Sequence, residues 1–218
     1  MTFKSDRRMQ LWNELYRASK HRYGDEPSAL ARWGLDHLQG SRSILEFGCG
    51  YGRDARFFAK RLPGIRFTGL DSSSFAITCA RKSVAHVRFI RMNALENRLS
   101  DRGGKFDAVY ANYFLHLFRA NERELLFAQM RQLLGPHGIL VLSLISTHDH
   151  LHRTGKPLEP NTYEVFQGRF WHFFSRTEIL RLCKRVDLRV SLIQETVENE
   201  CIAGEPNTVT SWRLLARR

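Results

Sequence analysis

Two carboxylates stand where apolar runs end, each placed to meet a charged or hydroxyl-bearing ligand. Glu46 lies in the run from Ser43 to Phe47, directly before Gly48-Cys49-Gly50-Tyr51-Gly52, in which three glycines alternate. Asp71 follows a second apolar run, residues 65–70, about 20 residues past the last glycine. Glycine takes positive φ without steric cost and lets the backbone approach a ligand closely. Behind the turn, Ala55, Phe58, Ala59 and Leu62 repeat at i, i+3, i+4 and i+7, one face of a helix whose first N–H groups are unpaired. Strand, glycine turn and helix together form a nucleotide-binding turn.

Glu46 narrows the choice of nucleotide. A dinucleotide fingerprint reads G-x-G-x-x-G/A, with a pyrophosphate over the helix N-terminus. Here the third glycine comes one residue early and Arg53 follows it. A carboxylate at the strand end would repel a pyrophosphate, but it suits an amino group held by a charge-assisted hydrogen bond. S-adenosylmethionine carries such a group together with a sulfonium cation. Asp71 stands at the spacing where an acid meets ribose hydroxyls in βαβ folds.

At these residues the sequence resembles the class I S-adenosylmethionine-dependent methyltransferases, with residues 46–52 similar to motif I and Asp71 to the acid after the second strand. The resemblance extends over most of the chain. It implies an α/β, Rossmann-like class I methyltransferase fold: a mostly parallel seven-stranded sheet, helices on both faces and a C-terminal antiparallel hairpin. It implies cofactor contacts from Glu46, Gly48, Cys49 and Gly50 at the methionine part, from Asp71 and Ser72 near the ribose, and from Asn93 and Ala94 at the adenine. Many members carry an acid where Asn93 stands, yet an amide oxygen also accepts from an adenine amino group. Asn112 falls at the family's motif IV, beside the reacting methyl, and the prolines of the base- and amide-nitrogen methyltransferases are missing there. Tyr23-Gly24-Asp25-Glu26-Pro27-Ser28 and Phe170-Trp171-His172-Phe173-Phe174-Ser175 are loosely similar to the thiopurine and tellurite-resistance methyltransferases.

The elements that must position these groups follow from periodicity and caps. Residues 6–23 read as an amphipathic helix, with Leu11 and Leu15 on one side and Met9, Trp12 and Tyr16 on the other. Gly24-Asp25-Glu26-Pro27 breaks it, and Pro27 starts a helix over 28–38. Ser72 or Ser73 caps a helix through Lys82, residues 87–91 form a strand, and a loop at 100–104 leads to another over 106–111. Asn121 caps a helix with Leu126, Met130, Leu133 and Leu134 on one face, and Gly135-Pro136-His137-Gly138 turns it into a strand over 139–144. Residues 145–172 lack clear periodicity and read as a polar substrate-side insertion. Ser175 and Glu178 form a capping box, and strands at 188–197 and 208–215 close the chain. N-terminal helices often form a lid in the family, so residues 1–40 are expected to cover the site. Trp12, Tyr16, Arg22 and Tyr23 from that lid, with His150, Tyr163, Arg169 and Trp171 from the insertion, are the expected acceptor-binding residues. The alternative for the aromatic ones is packing against the core.

The 218 residues suit a single methyltransferase domain, 1–218. Four cysteines without a C-x-x-C spacing, and no apolar leader, suggest reduced thiols in the cytoplasm. No apolar run approaches the ~20 residues of a membrane helix. The formal net charge of +12 raises the odds of an anionic partner. However, the basic residues are scattered, as in Arg81-Lys82, Arg88, Arg91 and Arg98, and a nucleic-acid partner is possible but not favoured. His148-Asp149-His150-Leu151-His152 sets alternate histidines on one face, as zinc sites do, but no second ligand cluster accompanies it and a cationic methyl donor needs no metal. No metal is expected. Methyl transfer is an in-line displacement that asks mainly for alignment and exclusion of water. An alcohol or protonated amine would also need a base, for which His116 is the candidate. The expected function is methyl transfer from S-adenosylmethionine to a small molecule through a sulfur, oxygen, nitrogen or chalcogen atom. The alternatives are an RNA methyltransferase and a cofactor-binding protein without turnover.

Overall fold

A computed structural model describes residues 2–96, 104–166 and 168–218, with side chains from residue 7 onward. Arg98 and most of the loop expected at 100–104 lie outside the described residues. In chain order the elements are α1 Thr2–Ala18, α2 Ala29–Leu38, β1 Ser43–Phe47, α3 Arg53–Arg61, β2 Arg66–Asp71, α4 Ser74–Ser83, β3 Arg88–Arg91 and β4 Phe106–Ala111. A 3-10 turn at Leu115–Leu117 precedes α5 Ala120–Leu133, β5 Leu134–Ile145, β6 Lys156–Glu159, β7 Thr162–Phe166, β8 Arg169–His172, α6 Arg176–Arg185, β9 Arg189–Ile202 and β10 Glu205–Arg217.

The main sheet has seven strands in the order β3-β2-β1-β4-β5-β10-β9. The first five run parallel, and β10 joins β5 antiparallel and carries β9. All five residues of β1 are buried, because β1 is central and covered on both faces. Ile44 packs with Leu30 and Leu38 of α2, Phe58 of α3 and Ile77 of α4 on one face. Leu45 and Phe47 pack with Leu126 and Met130 of α5 and Ile179 and Leu182 of α6 on the other. The strand's alternation thus sorts its side chains into two cores. Strand order reverses between β1 and β4, and in open α/β sheets that crevice at the carboxyl ends is where ligands bind.

Several expectations are corrected. The first helix stops at Ala18 instead of reaching 23, and a turn with Gly24 at φ +72, its N–H bonded to the His21 carbonyl, redirects the chain. Ser28, not Pro27, opens α2, since its Oγ accepts from Ala31 N–H at 2.9 Å. Arg119 holds the N-cap position of α5, with its N–H bonded to Glu122 at 2.8 Å, while Asn121 lies inside the first turn. Ser175 caps α6, but Glu178 turns away to His172 and Arg123 and leaves the box half made. Within the stretch at 145–172, residues 148–152 lie in turns, and β6, β7 and β8 pair as a separate antiparallel sheet where no strands were expected. The ends of the stretch meet where Ser146 bridges Phe174 and Phe174 N–H bonds the Ile145 carbonyl at 2.7 Å. The C-terminal hairpin is longer than expected, because Ala203 and Gly204, both at positive φ, make a two-residue turn that lets the strands pair up to Ile202 and Glu205.

Candidate functional site

The turn after β1 requires its glycines. Gly48, Gly50 and Gly52 have φ of +71°, +54° and +83°, and the space above them is taken. A Cβ on Gly48 would lie 2.6 Å from the Phe114 ring, and one on Gly50 2.7 Å from the Tyr16 hydroxyl. Asp71 accepts from Gly50 N–H at 3.0 Å and from Ser73 N–H at 2.8 Å, which fixes its carboxylate against the turn.

Helix α1 crosses the carboxyl ends of the strands and is pinned at both sides. Asn13 Oδ1 accepts from Ser73 Oγ at 2.7 Å and Phe75 N–H at 3.2 Å, at the start of α4. Arg8 forms a two-pronged pair with Glu122 on α5 at 2.9 and 3.1 Å. Below α1, Tyr16 meets Tyr51 edge-on, and Tyr51 donates to the Gly24 carbonyl at 2.6 Å. Arg53, at the start of α3, reaches the Tyr23 carbonyl at 2.8 Å and pairs with Asp54 and, at 3.5 Å, with Glu200 of β9. The C-terminal hairpin therefore closes the side of the site opposite β3.

These elements enclose a cavity of about 1330 Å³. Its wall contains every expected cofactor residue: Glu46, Gly48, Cys49, Gly50, Asp71, Ser72, Asn93, Ala94 and Asn112. Trp12, Tyr16, Arg22, Tyr23, His116, Arg169 and Trp171 line it as well. His150 and Tyr163 do not. His150 is exposed beside Asp149, and Tyr163 packs against Phe173 and His152 and pairs across the strands with Trp171. Among the described residues no cluster of His, Cys, Asp or Glu could hold a metal ion.

Unpartnered polar atoms outline what the cavity can bind. Glu46 Oε2, Asn112 Oδ1, His116 Nδ1 and Glu200 Oε1 are buried without a hydrogen-bond partner, and all four residues face the cavity. A buried polar atom left unpaired costs about 1–3 kcal/mol, so such atoms in one wall mark ligand positions. Burial raises the Glu46 pKa well above the usual carboxylate range, Asp54 adds to this, and Arg53 opposes it. Burial raises Asp71 too, against the backbone N–H groups that favour its charge. A cation brought to this wall would relieve both. His116 is pushed down to about 3 by burial, with His172 adding to it, and its ring stands edge-on to Trp171. At neutral pH it faces the cavity as an uncharged imidazole with Nδ1 unpartnered.

Tyr113, directly after Asn112, sits at φ +44, a strained conformation for a bulky residue. Its hydroxyl bonds Glu198 at 2.9 Å and its N–H reaches Ser143 Oγ at 3.3 Å, contacts that hold the strain and aim Asn112 inward. Sequence reasoning missed Asn13, Tyr51, Arg53, Phe114 and Glu200. Asn13 had a signal, being a poor helix former in the middle of an apolar-patterned helix. Glu200 had none, because the hairpin was expected to end before it.

Residues 44–138 match a family described as a methyltransferase domain. A trans-aconitate 2-methyltransferase of Deinococcus radiodurans is 29% identical over 70% of this chain and 58% of its own length, so the chain spans less than two thirds of that relative. Over the whole chain, a structure of an S-adenosylmethionine-dependent methyltransferase from Anabaena variabilis superposes with a TM-score of 0.78 at 20% identity, covering 96% of that chain. A Burkholderia thailandensis 1,6-didemethyltoxoflavin N1-methyltransferase, with bound toxoflavin precursor and S-adenosylhomocysteine, gives a TM-score of 0.64 at 18% identity over 98% of this chain and 86% of that one. Residues 44–138 are thus similar to the methyltransferase-domain family, on a chain that shares the fold of these methyltransferase structures.

Proposed function

We propose that the protein is an S-adenosylmethionine-dependent methyltransferase acting on a small-molecule acceptor inside the cavity between α1, the glycine turn and the β6–β8 sheet. The observation that carries this reading is the buried, unpartnered Glu46 Oε2, set beside three positive-φ glycines and an oriented Asp71. An amino group would donate a charge-assisted bond to Glu46, ribose hydroxyls would meet Asp71, and Asn93 with Ala94 would border the adenine. Asn93 Oδ1 already accepts from Leu95 N–H at 3.2 Å, which orients its amide. The bound cofactor would supply a methyl carbon activated by a sulfonium. This chain would align the nucleophile against it with Asn112 and the His116–Trp171 wall, and exclude water with α1.

The lid at residues 1–40 and the insertion at 145–172 fit this reading as the two covers of one domain. The enclosed cavity favours a small acceptor over a polynucleotide, which would need an open basic face. All four cysteines are free thiols, and among the described residues no helix is long and apolar enough to cross a membrane. Both fit a cytoplasmic enzyme. The test is calorimetric titration with S-adenosylhomocysteine without added metal. Wild type should bind and Glu46→Gln should bind about tenfold to a hundredfold more weakly. Equal binding by both, or a preference for NAD, would overturn the assignment.

A further inference from the structure

We propose that Arg22 and Arg169 form a clamp for a carboxylate of the methyl acceptor, so that the enzyme's substrates are small organic acids. The proposal rests on the cofactor reading given above and extends it to the other ligand.

The cavity wall carries both signs of charge, and its arginines differ in whether they are already satisfied. Arg8 pairs with Glu122, Arg53 with Asp54 and Glu200, and Arg119 with Glu159 at 3.6 Å. Arg7 is exposed, whereas Arg22 and Arg169 line the same cavity half-buried, and among the described residues neither makes an ion pair. The cavity's remaining carboxylates do not serve them: Glu164 accepts from Gly168 N–H at 2.7 Å, and Glu14 and Glu205 are exposed. The two guanidiniums are near enough to oppose each other's charge. Burial lowers the Arg169 pKa first, the Arg22 charge lowers it further, and Tyr23 acts the other way. Two half-buried like charges held together without a counter-ion form a site that an anion completes.

The site is also built to stay in place. Arg22 is fixed through its backbone, where its carbonyl accepts from Ala203 N–H at 2.6 Å, and the next N–H bonds Tyr51 at 3.1 Å. Arg169 is on β8 with its guanidinium 4.5 Å over the Phe166 ring. The Phe166 ring in turn stacks edge-on with Trp171, which stands against His116. The clamp thus joins the aromatic wall on the acceptor side. The cofactor's own carboxylate, two bonds from its amino group, belongs near Glu46, and the charges that act on Glu46 are Asp54, Arg53 and Asp71, not Arg22 or Arg169.

The test titrates protein saturated with S-adenosylhomocysteine with succinate, citrate and benzoate, and with the matching amides, for wild type, R22Q, R169Q and R169K. At least one acid should bind wild type and its amide about tenfold more weakly or not at all. R22Q and R169Q should lose about tenfold or more in affinity for that acid, R169K less, with S-adenosylhomocysteine affinity unchanged. Without an acid present, R22Q and R169Q should melt no lower than wild type, because each removes a like-charge repulsion. Binding of no acid, or equal binding by wild type and the glutamine variants, overturns the clamp. Weakened S-adenosylhomocysteine binding in R22Q and R169Q also overturns it, by assigning these arginines to the cofactor's carboxylate. Absence of S-adenosylhomocysteine binding by wild type is a different failure, since it defeats the cofactor reading itself.

Discussion

Glu46 is buried with one carboxylate oxygen unpartnered, and this sets how binding responds to pH. In the ligand-free protein burial, then Asp54, raises its pKa; an ammonium group arriving at Oε2 favours the ionised form and lowers it again. The complex therefore holds fewer protons than the free protein in the interval between the two values. Affinity for S-adenosylhomocysteine should rise as pH climbs from the usual carboxylate range toward neutrality. Calorimetry in two buffers of different ionisation enthalpy should register proton release on binding, and proton uptake would remove Glu46 from the amino group. His116 gives a prediction of the other kind. Its folded pKa of about 3 lies below the free value near 6.5, so the unfolded chain takes up a proton first as pH falls. Stability is lost progressively from about pH 6.5 down toward 3. His116→Phe should flatten part of this acid limb in urea melts, and superimposable limbs would place the imidazole in water. At this scale the wall around the glycine turn was legible, because the glycines and acids report their own geometry. That His150 and Tyr163 fall outside the cavity wall was not, since a segment without helical periodicity gives no face until its strands are known.

Ser28 shows how one residue sets the join between elements. Its Oγ caps α2, donates to Asp54 and lies 3.0 Å from the Tyr110 hydroxyl, and its N–H bonds the same carboxylate. Ser28→Ala should cost about 1–3 kcal/mol in chemical denaturation, the sum of a lost cap and a buried acceptor left short of a partner. A change within about 0.5 kcal/mol would mean that the network is not formed in solution. The hairpin turn offers the opposite sign. Ala203 stands at φ +57, where Asn or Gly is at ease, and its side chain is exposed. Ala203→Asn should therefore raise stability by about 0.5–1 kcal/mol, read as a higher Tm. This turn was hidden in the sequence because Ala-Gly is a weak hairpin signal compared with Asn-Gly, and Glu200 was lost to view with it. Strands β1 and β4, by contrast, appear at their expected bounds, as buried runs bordered by turn residues.

For the whole molecule, the seven-stranded sheet could be read in advance because its strands alternate with capped helices, whereas β6–β8 could not, being short and paired only with one another. Deleting residues 1–23 tests the division of labour. It removes Asn13, Tyr16 and Arg22 but leaves Glu46 and Asp71 on the sheet, so turnover should vanish while weaker cofactor binding persists. Retained turnover would show that α1 is dispensable. The structure also bears on how such a protein can change through descent. The two ends of the excursion after β5 lie side by side, where Ser146 meets Phe174 and Thr147 N–H bonds the Phe174 carbonyl at 3.1 Å. A segment whose two ends are clasped together is a cassette: it can be lengthened, shortened or exchanged without altering the register of the strands that hold the glycine turn. Selection can thus redraw the β6–β8 wall of the cavity by recombination in one stretch of gene, while the wall made by the glycine turn is inherited intact.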